Sequence, residues 1–505
     1  MTAVAQWLHV AGLRRLAVSP WAAALALAGA AGAGLRVWEY RSILGGTDAD
    51  EALAGLIARH VLNGELTAFF WSMAYGGTQE PLLTAPLFWL FGSGWLALRS
   101  VPIALSAVAA LLVWRAGRRT LGEPGAAVAG ALFWVWPGYN LIQLTHQHGF
   151  YGSDVFYCAL LVLLALRVVE RPDAVRTGAF GLALGLGFWE TAQVVPVAVP
   201  LVLWTVWRRP AALRRLPVAL PLAALGALPW IVWNVRHDWA SLDVSFGAQS
   251  TYAHRLRIFV SPLLPMITGL RQPWTQERLL PAALTLLVYA LLAALFLRGA
   301  VRSRSSDASV LYAVALGFPF LYAISAWTIE AGEPRYLVVL TPVLALLAAQ
   351  LATSRARGLA VLALGLALSV AVLHRAEVSA RASTAPGPPG DLRPLEAELE
   401  RLGVDRFYST YWVAYKVTFE TRERIVGVKN DFTAVSWDGE QAQPALGAFI
   451  RYPPFERAVR EGRHAFVLYR ALLPSIPIVP RLERYGYRRH DVGTLAVYTL
   501  PRGRQ

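Results

Sequence analysis

Long apolar runs alternate with short polar connections over the first three quarters of the chain. A helix needs about 20 mostly apolar residues to cross the hydrocarbon core of a bilayer. Runs of this kind predict about eleven transmembrane helices, so the predicted fold class is a polytopic α-helical membrane protein. The predicted spans cover residues 18–36, 99–117, 123–140, 153–169, 176–190, 192–207, 216–233, 280–298, 308–328, 335–352 and 357–374.

One more apolar run, Leu82–Leu98, is interrupted by Pro86, Gly92 and Gly94. Proline and glycine weaken or break a helix. This run is therefore compatible both with a further span and with a segment that lies in the membrane interface.

The positions of the arginines predict the orientation of the spans. Alternate connections carry clusters of arginine, beginning with Arg14 and Arg15, whereas residues 141–152 and 189–193 contain no Lys or Arg. Cytoplasmic loops of membrane proteins carry an excess of these residues. We therefore predict a cytoplasmic N-terminus and, with an odd number of spans, an outer location for everything after residue 374.

Composition agrees with this topology. Hydrophobic residues make up 56% of the chain and charged residues 16%, whereas a soluble domain carries about 25% charged residues. The net charge of +15 follows the orientation pattern and does not indicate a nucleic-acid partner. Cys158 is the only cysteine, which excludes a disulfide framework within the chain.

The composition becomes that of a globular domain after a proline-rich segment. We predict a transmembrane domain over residues 1–379, with outer loops at 37–98 and 234–279, and a linker over 380–390. A small extracytoplasmic α/β domain is predicted over residues 391–505.

Short patterns predict the elements of that last domain. Asp391–Leu402 is typical of a helix with Asp391 as its N-cap. Strands are predicted over Arg406–Val413, Arg424–Val428, His464–Leu468 and Thr494–Leu500.

Three carboxylates open the first outer loop, at Asp48, Asp50 and Glu51. Ionisable groups at a membrane face are costly to desolvate, so this cluster is the strongest indication of chemistry in the sequence. Apolar residues at helical spacing over 51–61 predict an amphipathic helix lying on the membrane surface. One of the two aspartates is expected to cap this helix, and capping does not account for all three acids.

Further polar side chains gather in the same predicted outer connections. One short turn contains His146, His148, Tyr151 and Asp154. The His-x-His spacing suits a metal ion if the segment is extended, but no third ligand is indicated. Hydrogen bonding to a polar substrate is favoured over a metal site, and ordinary solvation at the interface is the first interpretation for any single residue. Arg335 suits a phosphate through paired N–H donors, with snorkelling to the interface as the alternative. The remaining candidate substrate-binding residues are Arg59, Glu80, Glu190 and Tyr336.

Several of these motifs resemble the GT-C membrane glycosyltransferases. They are Asp50-Glu51-Ala52 followed by Gly55–His60, and the downstream Tyr75-Gly76-Gly77-Thr78-Gln79-Glu80, with Leu98–Pro102 and Pro334–Leu337 opening two spans. The chain is more narrowly similar to the family 39 type, which includes bacterial relatives of protein O-mannosyltransferases and lipid A aminoarabinose transferases. It departs from that group at Gln79-Glu80, where members often have paired prolines or a lysine, and at Trp189-Glu190.

The resemblance implies a polyprenyl-phosphate-sugar donor, used on the outer face of a bacterial cytoplasmic membrane with inversion at the anomeric carbon. It also implies catalytic roles for Asp50 and Glu51, while the acceptor, a cell-envelope glycan, lipid or protein, stays open. A positioned carboxylate acts as a base for an attacking hydroxyl, so we expect Asp50 to be the general base. Glu51 is expected to orient the acceptor or the base, and Arg335 to stabilise the leaving phosphate. The Asp48-x-Asp50 spacing is compatible with a divalent cation, but no cofactor is assigned.

Two other functions fit the same sequence. A transporter or flippase of lipid-linked sugars should place ionisable groups near the bilayer midplane. A non-catalytic assembly protein of envelope glycans would bind polymer with its outer domain, and Asp50→Asn would then have no effect. A glycosyltransferase is expected to bring Asp50, Glu80 and Arg335 together at one outer cavity.

Overall fold

The computed structural model describes residues 20–243, 250–325, 334–383, 390–445 and 450–501. Two features of the sequence lie outside these ranges. They are the arginines that predict a cytoplasmic N-terminus, Arg14 and Arg15, and the prolines of the predicted linker, Pro386, Pro388 and Pro389.

The part of the chain before the predicted linker is mainly helical. Its α-helices are α1 (Pro20–Arg41), α2 (Ala49–Leu62), α3 (Gln79–Phe91), α4 (Trp95–Thr120), α5 (Gly122–Trp134), α6 (Tyr139–Gln143), α7 (Tyr151–Glu170), α8 (Ala174–Glu190), α9 (Val195–Arg208), α10 (Leu216–Gly226), α11 (Leu228–Arg236), α12 (Tyr252–Ile258), α13 (Leu264–Ile267), α14 (Ala282–Ser303), α15 (Ser309–Tyr322), α16 (Thr341–Ala349) and α17 (Arg355–Ala382).

Among the described residues, five helices are long and apolar enough to cross a membrane, or six if one bent pair counts as a single span. The bent pair consists of α10 and α11, which meet at 62°. The predicted number of eleven spans is therefore not confirmed, although helix is found within every predicted run. The five helices are Trp21–Arg41, Trp95–Thr120, Tyr151–Glu170, Ala282–Ser303 and Arg355–Ala382.

The ambiguous run Leu82–Leu98 is divided between two helices. Helix α3 has 13 residues and ends before Gly92, which has a φ of +83°. A helix of 13 residues is too short to cross the hydrocarbon core. Glycine readily adopts this left-handed conformation, so the chain turns here before α4 begins.

Helix α7 lies at the centre of the helical body. Its buried side chains, such as Val155, Leu161 and Val162, pack between α4, α8 and α9. Helix α14 is different, because Thr285 is its only buried residue among those described. Its apolar surface therefore faces outward, as expected of a helix in contact with lipid.

Helix α2 does not lie free on a membrane surface, so that prediction is wrong. Nearly all of its residues between Ala49 and His60 are buried, and it packs against α3 on one side and against a helix of the C-terminal part, Tyr411–Glu420, on the other. The close packing depends on small residues: a Cβ atom on Gly55 would overlap the ring of Phe419. A helix rich in Ala and Gly admits neighbours on several faces, which the apolar periodicity alone did not reveal.

The C-terminal part contains a sheet covered by short helices. These helices are α18 (Arg393–Leu402), α19 (Tyr411–Glu420), α20 (Pro453–Glu461) and α21 (Val479–Arg484). The strands are β1 (Arg406–Ser409), β2 (Val426–Lys429), β3 (Val435–Trp437), β4 (Ala442–Pro444), β5 (Ala465–Tyr469), β6 (Arg488–Val492) and β7 (Leu495–Thr499). A five-stranded sheet has the order β2-β1-β5-β7-β6, parallel over the first three strands and antiparallel over the rest, and β3 pairs with β4.

Three predicted boundaries in this region are wrong. The strand predicted to run to Val413 ends at Ser409, and α19 follows it after one residue. Leu392, not Asp391, is the N-cap of α18, because the carboxylate of Asp391 binds the backbone N–H and the guanidinium of Arg393. Helix α17 continues to Ala382, so the predicted linker begins in helix.

Candidate active site

Asp48 is the N-cap of α2, as expected for one of the two aspartates. Its Oδ1 accepts a hydrogen bond from the backbone N–H of Glu51 at 3.0 Å, and its Oδ2 lies 3.0 Å from Nε2 of His148. Burial alone would raise the pKa of Asp48, but the charge and hydrogen bond of His148 outweigh it and the pKa is lowered. Asp48 is therefore an ionised cap that also orients His148.

Glu51 points into the protein and is fully buried. Nε of Arg99 lies 2.7 Å from Oε1 of Glu51, and the backbone N–H of Gln147 donates to the same oxygen at 3.0 Å. Burial would raise the pKa of Glu51, but the charges of His146 and Arg99 hold it well below its usual value. Because both oxygens already face donors, Glu51 is a fixed, ionised group.

His146 lies between two carboxylates. Its Nε2 is 2.6 Å from Oε1 of Glu39 and its Nδ1 is 3.2 Å from Oε2 of Glu51. Burial would lower the pKa of His146, but the charges of Glu51 and Glu39 outweigh it and raise the pKa to about 10. The raised pKa favours the protonated ring, although Nη2 of Arg99 also lies 3.0 Å from Nδ1, and His146 links α1 to the start of α2.

Asp50 has a different environment from its neighbours. It is half-buried, and its Oδ1 accepts a hydrogen bond of 2.6 Å from the hydroxyl of Tyr411, at the start of α19. Burial, and then the charge of Asp48, raise the pKa of Asp50, while Tyr411, His148 and Arg335 oppose that shift. Asp50 is the member of the acidic cluster that is both accessible and only partly neutralised by donors.

A cavity of about 600 Å³ collects many of the candidate residues. Asp50 and Arg335 both line it, which is the convergence expected of these two residues. The lining also includes apolar side chains such as Trp274 and Trp412. The predicted site residues in the lining are Asp48, Asp50, His146, His148, Tyr151 and Arg335.

Glu80 does not share this cavity and lies with Asp154 and Glu190 in a second, fully buried acidic group. The backbone N–H of Ser153 donates to Glu80 at 2.7 Å, and that of Gln79 donates to Glu190 at 3.1 Å. Burial raises the pKa of Glu80 to about 7. These hydrogen bonds join α3 to α7 and α8.

Two more candidates lie elsewhere. Arg59 binds Glu423, Ser93 and the carbonyl oxygen of Phe419, at the contact between the first loop and the C-terminal part. Tyr336 packs against the apolar core of the helical body. Neither residue lines the cavity.

Among the described residues, one group has potential ligand atoms close enough together to bind a metal ion. It consists of Glu51, His146 and His148, whose ligand atoms lie within 4.8 Å of one another. A histidine that binds a metal must be neutral and keep a free ring nitrogen. Both nitrogens of His146 face carboxylates, and Glu51 already pairs with Arg99. In this arrangement these residues suit an internal ion-pair network and not a metal ion.

Sequence reasoning missed Glu39, Tyr411 and Trp412, and it noted Arg99 only as part of a motif. Glu39 and Arg99 had a usable signal, because a charged residue at the end of an apolar run needs a buried partner. Tyr411 and Trp412 had none, since they lie in a segment predicted to be a strand about 360 residues from Asp50.

Comparison with known proteins finds similarity both in sequence and in fold. A family model described as dolichyl-phosphate-mannose-protein mannosyltransferase matches residues 81–233. The lipid A galacturonosyltransferase RgtD of Rhizobium johnstonii is 30% identical over 137 residues, which is 26% of this chain and 28% of the relative. The chain therefore matches less than a third of the length of this curated relative.

The fold match is more extensive. The crystal structure of ArnT from Cupriavidus metallidurans bound to undecaprenyl phosphate has a TM-score of 0.60 and 14% identity, covering 95% of this chain and 98% of that chain. The apo structure of the same protein also has a TM-score of 0.60, with 98% of each chain covered. Over part of the chain, the family model and the relative support the resemblance to GT-C membrane glycosyltransferases that the motifs indicate, and the chain shares the fold of ArnT.

Proposed function

We propose that this protein is an inverting glycosyltransferase that moves a sugar from a polyprenyl-phosphate-linked donor to a cell-envelope glycan, lipid or protein on the outer face of the membrane. The observation that carries the proposal is the shared cavity of Asp50 and Arg335, a carboxylate and a guanidinium beside a partly apolar wall. A base and a phosphate-binding cation are the two groups that this reaction needs.

The chemistry is a single displacement at the anomeric carbon. The acceptor hydroxyl attacks, its oxygen forms a bond to the anomeric carbon, and the bond to the phosphate oxygen breaks with inversion. Asp50 takes the proton of the attacking hydroxyl as general base. The electron pair leaves with the polyprenyl phosphate, whose added negative charge Arg335 stabilises through its N–H donors.

The electrostatics of Asp50 suit this role. A general base works best when its pKa lies near the operating pH. Burial and the neighbouring charge of Asp48 raise the pKa of Asp50 toward that range, while Arg335 and His148 keep the carboxylate form accessible. Asp50 is thus a stronger base than an exposed aspartate.

Glu51 has a positioning role in this proposal. Its carboxylate is enclosed by Arg99, His146 and the backbone of Gln147, so it does not reach the cavity. It holds the first turn of α2, and with it Asp48 and Asp50, at a fixed place relative to α1 and α4. Loss of Glu51 would therefore act through displacement of Asp50.

Two observations support a lipid-linked donor: the apolar part of the cavity lining and one structural neighbour. Ile43, Leu44, Ile142, Trp274 and Trp412 give the cavity an apolar wall suited to the first isoprene units. The ArnT structure with the same fold contains undecaprenyl phosphate.

The test uses the full-length protein in lipid nanodiscs, with radiolabelled polyprenyl-phosphate sugars and a bacterial membrane extract as the source of acceptor. Asp50→Asn should lower transfer by roughly a hundredfold or more, since general base catalysis contributes about 10² to 10⁴. The control is Asp405→Asn in the C-terminal part, whose side chain is 68% exposed. Unchanged transfer by Asp50→Asn would refute the general base. If the protein instead moved the lipid-linked sugar across a vesicle membrane without transferring the sugar to an acceptor, it would be a flippase.

A further inference from the structure

We infer that Tyr411 is a positioning residue for Asp50, so that the C-terminal α/β part completes the active site and does not serve only as a separate binding module. This inference rests on the proposed role of Asp50 as general base. It assigns a function to a region that the sequence left without one.

The hydrogen bond between the two residues gives the inference its geometry. The hydroxyl of Tyr411 donates to Oδ1 of Asp50 at 2.6 Å, across 361 positions of the chain. Within the described residues, Oδ2 of Asp50 has no hydrogen-bond partner, and Asp50 lines the cavity. The tyrosine therefore fixes one oxygen of a carboxylate that lines the cavity and leaves the other oxygen without a protein donor among these residues.

Tyr411 is itself held in place by its neighbours. Its ring lies 5.3 Å from that of Trp412 and 5.2 Å from that of Tyr415, and the guanidinium of Arg451 lies 5.5 Å from its centre. The backbone N–H of Arg451 donates to the hydroxyl of Tyr415 at 3.1 Å. A tyrosine enclosed in this way keeps one rotamer and offers its hydroxyl at a fixed point.

The C-terminal part is fixed to the first loop by several contacts away from the cavity. Trp71 stacks on Tyr452 with ring centres 4.2 Å apart, and Phe419 packs directly on Gly55. Arg59 pairs with Glu423 at 3.1 Å. These contacts determine the position of α19 relative to α2, and thereby the distance between Tyr411 and Asp50.

The hydrogen bond has a chemical consequence. Donation to a carboxylate stabilises its charged form, so Tyr411 lowers the pKa of Asp50 and opposes the larger effect of burial. Burial and the charge of Asp50 raise the pKa of Tyr411, so its phenol remains a donor. Asp50 also interacts electrostatically with four other charged or titratable groups, which are Asp48, His148, Arg335 and Tyr75.

The experiment compares Tyr411→Phe with Tyr452→Phe in the full-length protein. Tyr452 is a matched control, because its hydroxyl also donates to a carboxylate of the first loop, Glu65, at 2.7 Å, but outside the cavity. One readout is the pH profile of sugar transfer. The second is modification of Asp50 by a hydrophobic carbodiimide, which reacts with protonated carboxyls, followed by peptide mass spectrometry. This second readout requires no transferase activity.

Tyr411→Phe should lower transfer at neutral pH by about tenfold and move its acid limb upward by about one pH unit. Modification of Asp50 should extend to higher pH by a similar amount, and Tyr452→Phe should leave both profiles in place. Incorporation of 3,5-difluorotyrosine at position 411, which preserves the packing and strengthens the donor, should move both profiles toward lower pH.

Each failure has a distinct meaning. If wild-type protein transfers no sugar with any donor, the proposed function fails, and the carbodiimide profile still tests the contact between Tyr411 and Asp50. If transfer depends on Asp50 but neither Tyr411→Phe nor difluorotyrosine moves the pH profiles, the inference is wrong. Equal loss of transfer in Tyr411→Phe and Tyr452→Phe with fixed profiles would show that Tyr411 only packs, and would also refute it.

Discussion

Arg99 and Glu51 form an ion pair that is closed to solvent: Nε of Arg99 lies 2.7 Å from Oε1 of Glu51, and the side chains are 1% and 0% exposed. The pair joins the start of α4 to the first turn of α2. Removing one partner of a buried pair leaves the other charge without compensation, which is more costly than losing the attraction itself.

Glu51→Gln should therefore destabilise the protein by about 3–5 kcal/mol. The double variant Glu51→Gln with Arg99→Met should regain part of this loss, since the guanidinium that had lost its partner is then removed as well. Thermal unfolding followed by intrinsic fluorescence measures both effects. Glu170→Gln is the control, because its pair with Arg119 is 47% exposed at the carboxylate and exposed ion pairs contribute little to stability. Equal losses in the two single variants would contradict the prediction.

His146 should make stability depend on pH in the alkaline range. Its pKa is raised from 6.5 to about 10 in the folded protein, so the folded state binds its proton more tightly than the unfolded state. The stabilisation is fully present below about pH 6.5 and is lost as the pH rises through about 10. The melting temperature of the wild type should fall more steeply between pH 7 and 10 than that of His146→Asn. Parallel curves for the two proteins would refute this prediction.

The sequence indicated the helices well and the site only in part, and the reason is the range of the contacts. Apolar runs and the cap at Asp48 are local features, so they could be predicted from neighbouring residues. The burial of α2 and the hydrogen bond from Tyr411 depend on segments more than 350 positions away. No periodicity in either segment carries that information. The ion pair of Arg99 could be predicted only in part, since the sequence shows a charge that needs a partner but does not show which residue that partner is.

Asp48→Asn should shift the activity profile in the direction opposite to Tyr411→Phe. Asparagine is also a good N-cap, so α2 should keep its first turn. The charge of Asp48 raises the pKa of Asp50, so its removal should lower that pKa and extend transfer to lower pH. The control is Asp173→Asn, since Asp173 caps α8 in the same way and does not line the cavity. An acid limb that moves upward in Asp48→Asn would contradict the assignment of Asp50 as the base.

Arg335 should determine how tightly the protein holds the lipid phosphate. A hydrogen bond to a charged group is worth about 1.5–3 kcal/mol, so Arg335→Gln should raise the inhibition constant of undecaprenyl phosphate by roughly ten- to a hundredfold. Arg335→Lys keeps the charge but loses the paired donors, and its effect should be smaller. Product inhibition at fixed ionic strength measures both. Arg257→Gln is the control, because Arg257 is exposed in the long loop and does not line the cavity. If Arg257→Gln and Arg335→Gln weaken inhibition equally, the positive charge acts by general attraction and Arg335 is not the phosphate ligand.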